Sequence, residues 1–137
     1  MNTYPFLLRC ALVSAAFLCI GCGEDEEVLG PLPECTGAVT VSVSTGSTVV
    51  FGWSPKCKLF FLLVEPVGSG HDLWSTISDS TNAIAPPVTY GVVPNGAKSW
   101  LAAEDLVPGQ AYNVYVYRWT GPGRQDGELA GSAQFVR

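Results

Sequence analysis

The chain has 137 residues, 47% hydrophobic and only 14% charged, a balance that suits one packed domain and excludes a disordered polymer. Seven basic residues stand against twelve acidic ones, a formal net charge of -5. The basic footprint that nucleic acid requires is therefore missing, and no nucleic-acid partner is expected. Fifteen glycines and ten prolines are spread along the chain as turn residues between short apolar runs, which predicts an all-β fold.

Residues 1–21 have the layout of an export leader: a positive charge at Arg9, then an apolar run over residues 11–20 broken only by Ser14. That run is about half the ~20 residues a spanning helix needs, so it reads as a targeting device rather than a mature transmembrane segment. Gly21 and Cys22 close it in a way that resembles the lipobox of bacterial lipoproteins, in which a small residue precedes the cysteine that receives diacylglycerol. Leucine is preferred three residues before that cysteine; here Cys19 holds the position and Leu18 lies one place earlier. The resemblance implies cleavage before Cys22, lipid on its thiol, and attachment to a membrane of the bacterial cell envelope. The outer membrane is the expected one, on its periplasmic or surface face.

Residues 22–34 then read as an acylated acidic tether. Glu24, Asp25, Glu26, Glu27 and Glu34 repel one another and keep the segment extended, while the domain beyond has six bases against seven acids. A sharper reading makes the acidic run a surface-export signal; Gly23, in place of aspartate, removes the familiar inner-membrane retention mark. Cysteine arithmetic agrees with this division. Cys10 and Cys19 leave with the leader and Cys22 is acylated, so Cys35 and Cys57 remain as the expected disulfide. No Cys-x-x-Cys pair survives to hold zinc or run redox chemistry.

Residues 35–137 form the expected β domain. Val39, Val41 and Val43 alternate with Thr40 and Ser42, and Val49, Phe51 and Trp53 alternate with Val50 and Gly52. Folding the pair about Gly46 sets Val43 opposite Val49, Val41 opposite Phe51 and Val39 opposite Trp53, and extends to Cys35 opposite Cys57. Residues 58–65 make a third strand, apolar on both faces and therefore central. Residues 71–78 predict a shorter fourth strand carrying Leu73, Trp74 and Ile77. Residues 88–93 look extended, and residues 100–106 read equally as a strand or a single helical turn.

Leu106, Gly109 and Tyr112 then join a turn to a long alternating strand, with a last strand over residues 128–136. This pattern resembles the fibronectin type III domain, in which a leucine, a turn glycine and a tyrosine lead into the sixth strand and the tyrosine hydroxyl clamps the preceding backbone. Trp53, ahead of Ser54 and Pro55, fits the family's tryptophan at the end of the second strand. The resemblance covers residues 36–136. It implies a two-sheet antiparallel sandwich, fibronectin type III-like, and no particular activity.

The long alternating strand puts Tyr112, Val114 and Val116 inward and leaves Asn113, Tyr115, Tyr117 and Trp119 outward. Two readings follow: the middle segment folds across this stripe, with Trp74 or Trp100 packing on it, or the stripe is an exposed platform for a sugar ring or a protein. Residues 120–127 form a polar turn with Arg124 and Asp126 near its tip, a second candidate ligand contact.

No catalytic constellation is legible. The one histidine, His71, neighbours Ser69 and Asp72 in a glycine-rich loop, and consecutive residues do not converge as a triad does. Motifs for phosphate, zinc-protease or serine-elbow chemistry are absent, so neither cofactor nor metal is expected; a site on His71, Asp72 and Asp79 reads as solvated loop. The expectation is a membrane-anchored, non-catalytic binding module for an envelope protein or glycan. The alternative is a structural envelope protein docked in a larger assembly or homo-oligomer.

Overall fold

A computed structural model describes residues 30–79, 81–121 and 127–137. Among the described residues the chain is all-β: β1 (Thr40–Thr45), β2 (Val49–Ser54), β3 (Phe61–Pro66), β4 (Trp74–Ile77), β5 (Val88–Thr89), β6 (Lys98–Leu101), β7 (Ala111–Trp119) and β8 (Gly127–Val136). They form two antiparallel sheets, ordered β1-β2-β5 and β6-β4-β3-β7-β8, packed as a sandwich. Period-two alternation decides which side chains enter the core. Phe51 and Trp53 of one sheet meet Leu62, Val64, Trp74, Tyr112, Val114 and Val116 of the other, all buried. Rings interlock across the interface: Phe51 lies 6.4 Å from Trp74 and 5.7 Å from Phe135, which in turn stacks on Tyr112 at 5.5 Å.

The β1–β2 hairpin keeps its expected faces but not its expected register. Thr45 pairs with Val49, Val43 with Phe51 and Val41 with Trp53, a slip of two residues. A two-residue slip leaves every side chain on its own face, so the hydrophobic pattern is blind to it. The loop decides instead. Gly46, Ser47 and Thr48 make the turn, closed by the Gly46 N–H donating to the Thr48 carbonyl at 3.1 Å. Val39, freed from Trp53, donates its N–H across to Ala130 of β8 at 2.9 Å.

Cys35 and Cys57 are bonded, with Cα atoms 4.9 Å apart, but the hairpin ladder does not bring them together. A short parallel bridge does: the Cys35 N–H donates to Lys58 O at 2.9 Å and the Lys58 N–H to Pro33 O at 2.8 Å. Two further bonds tie this lead-in to the same end of the sandwich, from Asn82 Nδ2 to Glu34 Oε2 at 3.0 Å and from Arg118 to Thr36 O at 2.6 Å. Pro33 and Glu34, placed in the tether by composition, are thus already bonded to the domain.

Strand bounds differ from expectation where backbone geometry intervenes. The third strand begins at Phe61, because Leu59 is taken by a bridge to Ile84 from the middle segment. Extended pairing after Pro87 stops at Thr89, because the chain turns at Gly91, whose φ of +78° suits glycine alone, and Val92 donates back to Thr89 O. Residues 98–101 form a strand on the free side of β4, with a bulge that leaves Trp100 between Ser99 and Leu101 as the extra residue. Trp53 is buried and its Nε1–H donates to Cys57 O at 2.7 Å. At the other end of the sandwich Leu106 packs on the core, and Gly109 takes a φ of +81°. There the Val107 N–H donates to the Tyr112 hydroxyl at 2.7 Å.

Candidate functional site

The outer face of the five-stranded sheet follows from strand register. Leu63 lies opposite Tyr115, Phe61 opposite Tyr117 and Glu65 opposite Asn113, so an aliphatic and aromatic row on β3 runs beside an aromatic row on β7. Ile77 of β4 and Leu129 of β8 extend it on either side. Phe61, Leu63, Ile77, Tyr115 and Tyr117 are half-buried, and Leu129 is 51% exposed. The middle segment does not fold over them. It joins the other sheet through β5, Trp74 points into the core on the opposite face, and Trp100 sits on the edge, 57% exposed. Strand parity separates Trp74 from the stripe: it pairs with the inward Val64.

Local contacts order the face. The Phe61 and Tyr117 rings are 5.6 Å apart. Tyr115 donates its hydroxyl hydrogen to Glu65 Oε1 at 3.2 Å. Burial, then this bond and the Glu65 charge, raise the Tyr115 pKa; burial, then Tyr115, Glu65 and Asp72, raise that of Tyr117. Ser75, opposite Leu63 on this side, is buried, and its hydroxyl has no hydrogen-bond partner among the described residues. Trp119 ends the row where Asn82 brackets its backbone, accepting from the Trp119 N–H at 2.7 Å and donating to its carbonyl at 3.1 Å. Tyr115, Tyr117 and Trp119 are therefore brought onto one face. Cys22, Arg124 and Asp126 lie outside the described residues.

A second feature escaped the sequence. At the end of the sandwich opposite the Cys35 lead-in, a cleft of about 560 Å³ is lined by residues of four separate segments, among them Ser47, Tyr90, Glu104, Asp105 and Arg137. Tyr90 packs edge-on against Trp74 at 5.1 Å and donates its hydroxyl hydrogen to Glu104 O at 2.8 Å. Its pKa is pushed up to about 12 by burial first, then by Tyr112, Glu104 and Asp105. Arg137 is committed to the Gly46 and Ser47 carbonyls, at 2.8 and 3.4 Å. The alternation of Tyr90 and the paired acids has no period, so only the fold reveals their convergence. His71, Asp72 and Asp79 do not come together as one site. His71 faces Glu104 at 3.5 Å, Asp79 pairs with Lys98 at 2.7 Å, and no cluster suited to a metal occurs among the described residues.

Comparison with protein families, with curated proteins and with solved structures gives no match.

Proposed function

We propose that this chain is a lipid-anchored, non-catalytic binding module of the bacterial cell envelope, fibronectin type III-like, that offers the outer face of its five-stranded sheet to a protein or glycan. The observation that carries the reading is that face: Phe61, Leu63, Tyr115 and Tyr117 form a contiguous aromatic and aliphatic surface on the side of the sheet away from the core. Patches of this kind on a small domain mark interaction sites.

Strand layout supports the family reading. First, second and fifth strands lie in one sheet against the third, seventh and eighth in the other, which is the immunoglobulin-like arrangement once β6 is counted as an addition on the edge. The Val107–Tyr112 bond supports it too, since it is the clamp that the resemblance implies. Anchoring rests on the leader and on Cys22, and mass analysis of the N-terminal peptide tests it: an unmodified Cys22 overturns the anchor. For the face, the full chain immobilised in non-ionic detergent is offered an envelope extract before and after protease and periodate treatment. Joint replacement of Tyr115, Tyr117 and Trp119 by alanine should abolish retention while the circular-dichroism spectrum is kept. Retention unchanged in that variant refutes the binding face.

A further inference from the structure

We propose that the partner is a basic, extended segment of another protein, laid across Tyr115 and Tyr117 with its lysine or arginine heads at Glu65 and Asp72. This rests on the reading of the outer face as the binding surface and adds the chemistry of what binds.

The first argument is shape. Tyr115 and Tyr117 are two residues apart on one strand, about 7 Å along it, and Leu63 and Phe61 lie directly beside them. The result is a strip about 7 Å long and two strands wide, enough for two or three residues of an extended chain. The second argument is charge. Glu65 lies on this face beside Tyr115, and Asp72, in the loop that joins the end of β3 to β4, adds a second negative charge at the same end of the sheet. Neither carboxylate has an ion-pair partner among the described residues.

Three cations among the described residues are engaged elsewhere. Lys98 pairs with Asp79, Arg118 with Glu128 and the Thr36 carbonyl, and Arg137 with the 46–47 turn. The strip thus combines electron-rich ring faces with unbalanced negative charge. Aliphatic stems of lysine or arginine cover such rings while their heads reach the carboxylates, and a cation over a tyrosine face gains further attraction. A neutral glycan would use the rings and could donate hydroxyl hydrogen bonds to the carboxylates, but would neutralise neither charge.

The test uses the full chain in non-ionic detergent with three probes: an octapeptide alternating lysine and threonine, its glutamate-for-lysine counterpart, and a neutral β-linked glucose hexasaccharide. Ring-proton shifts of Tyr115 and Tyr117 report binding. The lysine peptide should move them and the glutamate peptide should not. Affinity should fall about five- to tenfold in the Glu65→Gln/Asp72→Asn variant, the sum of two exposed ion pairs, and should weaken with added salt. Glutamine keeps the acceptor for the Tyr115 hydroxyl, and an unchanged melting temperature certifies the variant's fold. Equal affinity in the double variant overturns the proposal. Shifts caused by the hexasaccharide alone overturn it too, while sparing the binding-face reading. Silence from all three probes removes the proposal, and loss of envelope retention in the triple alanine variant still decides the wider reading separately.

Discussion

The Cys35–Cys57 bond gives the most quantitative prediction. It closes a loop at a sequence separation of 22 that contains the whole β1–β2 hairpin, and chain entropy assigns such a closure about 3 kcal/mol at 25 °C. Both cysteines are buried, so the test variant is Cys35→Ala/Cys57→Ala, which introduces no buried hydroxyl. For a domain of about 100 residues the loss corresponds to a drop in Tm of roughly 12–24 °C. Thermal unfolding followed by circular dichroism, with and without reductant, measures it. Four hydrogen bonds hold residues 33–36 to Lys58, Asn82 and Arg118 without help from the disulfide, so the variant should still fold with the lead-in docked. A drop below about 3 °C would sink the entropic argument, because it would mean that the unfolded chain is already held together near these residues. Loss of folding altogether would show instead that the bridge, not the hydrogen bonds, positions the lead-in.

Three further outcomes follow from single side chains. Tyr112→Phe removes the acceptor of the Val107 N–H and should cost about 1–2 kcal/mol in denaturant unfolding; no measurable loss would mean that the bond adds nothing at this corner. Gly131→Ala places a methyl group 2.5 Å from Val39 O and 3.1 Å from the Val39 and Val41 side chains, so overpacking between β8 and β1 should cost about 1–3 kcal/mol, and a neutral effect would refute the close approach. Tyr90 ionises at about 12 when folded against an ordinary 10.0, so its contribution to stability is whole below pH 10 and declines as pH rises toward 12. Tyr90→Phe should flatten that alkaline decline, and an unchanged slope would show that another group causes it.

What the sequence made legible was parity. Val49, Phe51 and Trp53, and later Tyr112, Val114 and Val116, enter the core as their alternation requires, and Tyr115 and Tyr117 emerge on the other side. Parity repeats every two residues, which is why it could place every valine of β1 on its face and still miss the pairing by two. It also carries no information about connections that cross between sheets. The β5 pairing with β2, the bulge at Trp100 and the bridge from Leu59 to Ile84 all depend on where a long irregular segment finds hydrogen-bond partners. Such partners lie far off in sequence and leave no periodic trace. The cleft around Tyr90 was hidden for the same reason, being assembled from turns rather than from strands.

The two ends of the sandwich are chemically unlike, and this bears on where a ligand would meet it. The lead-in at residues 33–36 is tied to Lys58, Asn82 and Arg118, at the end where β7 finishes and β8 begins. The turn between those strands, proposed from composition as a ligand contact, therefore starts and ends beside the lead-in. Tyr90 and Glu104 belong to the opposite end, about 27 Å away along β7, and Glu65, opposite Asn113, lies about 20 Å away. If Cys22 is anchored, the chain enters the domain from the membrane at the first end, and the aromatic strip runs from there toward the second. A paramagnetic lipid headgroup should then broaden signals of Thr36, Lys58 and Asn82 before those of Thr48 and Val107. The reverse order would mean that the domain lies with its cleft against the membrane, and the acidic edge of the strip would no longer be open to a basic partner.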